Sequence, residues 1–407
     1  MGRINEILER HLVSPVGFRN GLIEFGYRST ISWACSILLR KNLEFLFVIP
    51  VTLLDVVSID QRALESRDDT EPFYFDGPER FRISYSRECG DFPNVGVDVS
   101  GDFRTSSPSV VQVPNVTLLG KYPLPLDEGN KIITPAVGKQ KNTVLNVIGS
   151  GPSLLSHAVS KRPVKTEVES AVLLYNSWSQ GYFHWVLDDL TRLQGIEEAC
   201  SEGIVEDPKV IVGPEPPDWQ LEYLDLLGFD PDEIIRYTDP THVAKLIVPS
   251  TRRENQISPN ALRWLRERLL DEVDRDSPVH DDRVYVSRAD ADRRQVINED
   301  ELMDELSDYG FSRYVLSDLT VREQIRLFSE CEIIVSPHGA NLTNLVFSSD
   351  PKVFELYSDY IGGHYAVISD LIGADHEFLR CEPVGPHMRV DTDKIIDRLE
   401  DGLSDRE

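Results

Sequence analysis

From Ser170 onward the chain alternates short apolar runs with longer stretches in which apolar residues return every three or four positions. These are the patterns of buried strands and of amphipathic helices. Strands are expected at 171–175, 209–212, 233–237 and 243–249, with helices at 182–193, 218–227 and 260–273, where Leu262, Leu265, Leu269 and Val273 share one face. A charged link at 271–282 leads into a second alternating stretch, with strands at 283–287, 332–336 and 352–357. Its helices open at Asn298-Glu-Asp-Glu301, at Thr320-Val-Arg-Glu323 and at Gly363. The two tetrads read as capping boxes, and Gly310 and Gly373 read as helix stops.

Two successive β/α runs predict an α/β protein with two doubly wound, Rossmann-like domains facing a cleft, at 166–275 and 281–385. Ahead of them stand a helical segment at 1–60 and a Pro-, Gly- and Ser-rich, irregular β lead-in at 61–165; an acidic helix or tail at 386–407 follows. Gly149-Ser-Gly151 lacks a third glycine at the dinucleotide spacing and reads as a turn.

Candidate chemistry gathers at the ends of expected strands, where parallel sheets bind ligands. The Ile-Ile-Val core of the 332–336 strand runs into Pro337-His338-Gly339-Ala340, followed by Asn341, Thr343 and Asn344. Such a loop suits an anion. After the 171–175 strand, His184 and Asp188 are four apart on an expected helix and so share a face. On its own such a pair equally describes a packed histidine beside a solvated acid. The strand at 283–287 delivers Arg288, Arg293 and Arg294, which could grip phosphate oxygens or could pair with Asp290 and Asp292.

Composition narrows the classes. At 407 residues two domains are the default, and 41% hydrophobic residues is normal for a globular protein. A net charge of -27, spread along the chain, with arginine outnumbering lysine roughly three to one, is not. It suits a cytoplasm of very high salt and argues against nucleic-acid binding. Cys35, Cys89, Cys200, Cys331 and Cys381 are odd in number and form no C-x-x-C pair, which disfavours structural zinc and disulfides and fits a reducing compartment. No secretory signal is expected at the amino terminus. Residues 1–41 nevertheless carry a charge of +3. This segment reads either as lying peripherally on an anionic membrane surface at the cytoplasmic face or as helices packed on the first domain.

Three stretches together resemble glycosyltransferase family 61, the family once labelled as capsular polysaccharide biosynthesis proteins. They are Asn…His-Trp-x-x-Asp-x-Leu-x-Arg-Leu from Asn176 to Leu193, Tyr-x-Ser-Arg…Arg…Asn-Glu from Tyr285 to Glu299, and Glu-Gln-Ile…Phe…Pro-His-Gly-Ala-x-Leu-Thr-Asn…Phe from Glu323 to Phe347, with Glu355 following. The resemblance covers about 170–373; Thr191 departs from it, standing where the family often has proline.

The resemblance implies a GT-B-type fold and inverting transfer from a nucleotide-sugar, with no obligatory metal and no other cofactor. It makes His184 and Asp188 the catalytic pair, with Asp188 either the base itself or the group that orients His184. Arg288, with Arg293 or Arg294, would hold the diphosphate. His338 would donate to a phosphate or sugar hydroxyl beside Gly339. Thr343 and Asn344 would line the donor pocket, and Glu355 would bind ribose or sugar hydroxyls unless it sits in a salt bridge. The partners implied are a nucleotide-sugar and a glycan or lipid-linked saccharide acceptor. The alternatives are a non-catalytic saccharide- or nucleotide-binding subunit of a polysaccharide assembly complex, and a diphosphate-sugar epimerase or phosphorylase on the same plan.

Overall fold

A computed structural model describes residues 58–88, 96–138, 146, 163–273, 281–359 and 362–404. The basic amino-terminal segment up to residue 57, the Gly149-Ser-Gly151 turn and residues 274–280 of the charged link lie outside the described residues. The described chain divides into two compact units. The first comprises 102–272 with the described part of 46–81; the second comprises the described parts of 82–101 and 273–407.

The first unit is built on one large mixed sheet. Its strands are β1 (Ser58–Ile59), β2 (Phe73–Tyr74), β3 (Ser109–Leu119), β4 (Leu124–Leu126), β5 (Ile132–Ile133), β6 (Thr166–Leu173), β7 (Lys209–Val212), β8 (Ile234–Arg236) and β9 (Thr241–Pro249). They lie in the order β1-β5-β4-β3-β9-β6-β7-β8, with β2 on the side of β3. Strands β9, β6, β7 and β8 are mutually parallel, whereas β3 pairs antiparallel with β9, Val110 opposite Pro249. The expected β lead-in and the expected first β/α sheet are therefore one sheet. The reason is hydrophobic. Val111, Val113, Val116 and Leu118 of β3 join Val168, Ala171, Leu173, Leu246 and Val248 in a single core.

Helices α1 (Gln61–Glu65), α2 (Leu193–Ser201), α3 (Asp218–Leu226) and α4 (Pro259–Leu270) belong to this unit. In α4 the Ser258 side chain caps Ala261 N and Pro259 opens the first turn, after which Leu262, Leu265 and Leu269 go inward as their spacing predicts.

The second unit holds a fully parallel sheet of β10 (Arg283–Ser287), β11 (Ser312–Val315), β12 (Ile333–Pro337), β13 (Lys352–Tyr357) and β14 (Asp375–Arg380). The spatial order is β11-β10-β12-β13-β14. Every residue of β12 and β13 is buried, as the continuous apolar runs require. Counted along the chain the order is 2-1-3-4-5, a doubly wound arrangement whose direction reverses between β10 and β12.

Helices α5 (Glu299–Asp308), α6 (Val321–Glu330), α7 (His364–Ile372) and α8 (Thr392–Ser404) accompany it, with a 3-10 segment at Ala340–Phe347. Thr320 and Glu323 form the reciprocal capping box at α6. Asn298 does not cap α5: its amide donates to Val390 O (2.9 Å) and accepts from Val390 N (2.9 Å), tying the helix start to the chain beyond the β hairpin 382–389. The acidic tail expected at 386–407 supplies α8, whose Ile395 and Leu399 are buried in the core of this unit. Among the described residues no helix is long and apolar enough to cross a membrane.

Candidate active site

Two constellations form, one in each unit. In the second unit the sheet order reverses between β10 and β12, and the carboxyl ends of strands at such a reversal are the usual ligand position. Strand β10 delivers Arg288 there, and β12 delivers His338 and Gly339. A Cβ at position 339 would collide with the Arg288 guanidinium, so the glycine lets the guanidinium approach closely and is not there for its backbone angles.

The loop after β10 wraps this guanidinium. Arg288 Nε donates to Arg293 O (3.3 Å), and Arg294 is tied by its N–H to Pro386 O (2.7 Å). Glu299 anchors the loop from below. Tyr285 Oη donates to Glu299 Oε1 (2.9 Å), Ser287 Oγ donates to Glu299 Oε2 (3.0 Å), and Ser287 Oγ in turn accepts from Ala289 N (3.1 Å). The Tyr-x-Ser-Arg…Asn-Glu spacing is thus the spacing of one hydrogen-bonded loop support.

Arg288 is nine-tenths buried, and its Nη nitrogens make no hydrogen bond or ion pair among the described residues. Pairing with Asp290 or Asp292, the bland expectation, does not occur for it. Burial, reinforced by Arg294, pushes its pKa down to about 10, so it remains a cation at neutral pH. An isolated buried cation is costly, and the cost is relieved by an anion. Two further polar groups on the 3-10 segment, Asn341 Nδ2 and Thr343 Oγ1, are also buried without a partner among the described residues.

His338 is held from behind. Its Nδ1 hydrogen-bonds to Glu355 Oε1 on β13, and Glu355 Oε2 takes His376 Nε2 from β14 (2.9 Å). Ser369 Oγ meets His376 Nδ1 (2.8 Å), and Tyr85 Oη donates to the His376 carbonyl (3.1 Å). Burial alone would raise the Glu355 pKa, but the bonds from His338 and His376 outweigh it and hold the carboxyl below its usual range. Glu355 is wholly buried and engages an imidazole with each oxygen, so in this structure it supports His338. Asn344 likewise turns inward, donating to Gln324 Oε1 of α6 (3.1 Å). Nothing in the sequence spacing marked His376, because its partner lies on the neighbouring strand.

In the first unit, the segment expected as one helix at 182–193 is interrupted. Tyr182–His184 forms an α turn, Trp185–Asp189 a π turn and Leu190–Arg192 a 3-10 turn before α2 begins. Such insertions recur at functional sites. His184 Nδ1 still reaches Asp188 Oδ2 (2.7 Å), the contact expected from their spacing. A carboxylate at Nδ1 fixes the tautomer and leaves Nε2 as the basic atom. The His184 side chain is 31% exposed and stands against Trp178 and Phe183.

Asp188 has a second partner the sequence did not reveal. Arg253, just beyond β9, donates through Nε to Oδ1 and through Nη2 to Oδ2 (2.6 Å), and its guanidinium covers the Phe183 ring at 4.9 Å. Both oxygens of Asp188 are thus engaged by one bidentate arginine, and Oδ2 is shared with His184.

The profile of the family described as Glycosyltransferase 61 matches residues 182–354. The chain carries a glycosyltransferase 61 domain. The matched segment runs from the turn that bears His184 to the middle of β13, so it contains Asp188, Arg253, Arg288, His338 and Gly339, and stops one residue before Glu355. No curated protein matches the chain. The enzyme is a glycosyltransferase.

Proposed function

We propose that this glycosyltransferase moves a sugar, with inversion and without a catalytic metal, from a nucleotide-sugar to a glycan or lipid-linked saccharide. The observation that carries the reading is the buried Arg288, its Nη nitrogens unpaired among the described residues, close to Gly339 and His338 at the reversal point of the parallel sheet. A diphosphate supplies the missing negative charge, and fixed positive charge stabilises it as it departs. His338, oriented by Glu355, donates to a phosphate or sugar oxygen, and Arg293 or Arg294 adds a second cationic contact. In the other unit His184 takes the acceptor proton at Nε2, while Asp188, held by Arg253, orients the ring. The reading requires the acceptor to be presented to the donor during turnover. A role in surface polysaccharide or glycoprotein glycan synthesis, in a salt-rich cytoplasm and with peripheral membrane contact through the basic amino-terminal segment, completes the proposal.

Nucleoside diphosphate titration and turnover of two variants test it. Arg288→Met should lose diphosphate binding while its melting temperature holds or rises, because an uncompensated buried cation has been removed. His184→Gln should retain binding and lose turnover by about 10²–10⁴-fold. Full diphosphate affinity in Arg288→Met, or undiminished turnover in His184→Gln, refutes the corresponding assignment.

A further inference from the structure

The first unit contains a cavity of about 690 Å³ whose described lining includes none of the residues assigned above to donor binding or catalysis. That size is typical of a small-molecule site. Its walls come from β1 and α1, from the chain before β3, from residues 134–138 and from the segment 250–258 after β9.

The lining has a definite chemistry. Of the eighteen described residues that line it, eight are serine or threonine, and among them no aliphatic side chain other than proline contributes. Asp60, Glu65 and Glu254 outnumber Arg62 and Arg252, so a polyphosphate or another anion is disfavoured. On the wall, Gln61 Nε2 donates both to Glu65 Oε1 (2.8 Å) and to Ser109 Oγ (2.9 Å), and Ser109 Oγ donates to Glu65. Gln61 Oε1 makes no hydrogen bond among the described residues, and the two bonds from Nε2 fix the amide on the wall.

One aromatic residue completes the lining. Tyr74 is 50% exposed and is the single aromatic among the large exposed hydrophobic residues described. Aromatic faces carry negative potential and attract the polarised C–H faces of a pyranose ring. Hydroxyl donors and acceptors, a fixed amide and one exposed ring form the combination that recognises an uncharged polyol.

The cavity is also tied to the catalytic pair. Thr251, Arg252 and Glu254 line it, and Arg253, between them, grips Asp188. One loop therefore contributes to the cavity wall and orients the proposed base.

We propose that this cavity is a subsite for the acceptor, binding an uncharged saccharide chain with one sugar ring against Tyr74. The proposal rests on the transferase reading above and names the acceptor class for it.

Saturation-transfer NMR on the full chain tests it, using a panel of uncharged di- to tetrasaccharides with acidic oligosaccharides alongside. Signals from an uncharged saccharide are expected with the wild type, with affinity about tenfold weaker in Tyr74→Ala and retained in Tyr74→Phe, since the ring and not the phenol makes the contact. Nucleoside diphosphate affinity should be the same in all three proteins. Absence of any uncharged saccharide signal, equal binding by Tyr74→Ala, or preference for the acidic oligosaccharides overturns the subsite. Loss of nucleoside diphosphate binding in the wild type would instead overturn the transferase reading, so the two failures are told apart.

Discussion

Asp188 and Asp189 are adjacent in sequence and have opposite chemistry. Asp188 is ion-paired with Arg253. Asp189 is fully buried, accepts from Asn176 Nδ2 (3.2 Å), and keeps Oδ2 without a partner among the described residues. Burial pushes its pKa up to about 7, overriding Ser179, Arg192 and Asn176, which act to lower it. The folded state thus retains a proton that the unfolded chain releases near the ordinary value of about 4. The stability this group contributes is complete below about pH 4 and is lost as pH rises through about 7. In Asp189→Asn that component should vanish. Urea titrations of wild type and variant between pH 4 and 8 should show a stability difference that changes through this window and is flat above it; a pH-independent difference would count against the assignment.

At the scale of elements, the proposed anion site depends on one glycine. In Gly339→Ala the new methyl group must displace the Arg288 guanidinium, while His338, Glu355 and His376 lie on β12, β13 and β14 or immediately after them and keep their contacts. Nucleoside diphosphate affinity should fall by at least tenfold, with a drop in stability of about 1–3 kcal/mol from overpacking. Unchanged affinity would show that Arg288 is not held where the diphosphate binds. The boundaries of β7, β10 and β13 coincide with those expected, because a short apolar run between turn residues admits little else. The π turn at Trp185–Asp189 was not legible, since His184 and Asp188 at a spacing of four fit an unbroken helix equally well. Asn298 has the sequence of a cap and serves as a tether, because Val390, 92 residues away, competes for its amide.

For the whole molecule, the charge of -27 is the dominant property. Salt shortens the range of mutual repulsion to a few ångströms at molar concentration. The melting temperature should therefore rise by roughly 5–10 °C between ~0.1 M and ~2 M potassium chloride. A flat or falling profile in differential scanning calorimetry would contradict the proposed adaptation to a salt-rich cytoplasm.

The sequence alone determined the alternation of β and α elements, the strand ends that bear His338 and Arg288, and the His184–Asp188 pair. Each of these depends on periodicity or on neighbours a few positions apart. Tertiary structure alone decided three further points. Strand β3 of the lead-in shares a sheet with β9. Arg253 completes Asp188 from 65 residues away. Glu355 stands behind His338 with His376 as its second partner. These contacts join residues far apart in the chain, and local pattern carries no record of which distant strand or loop will close around a buried charge.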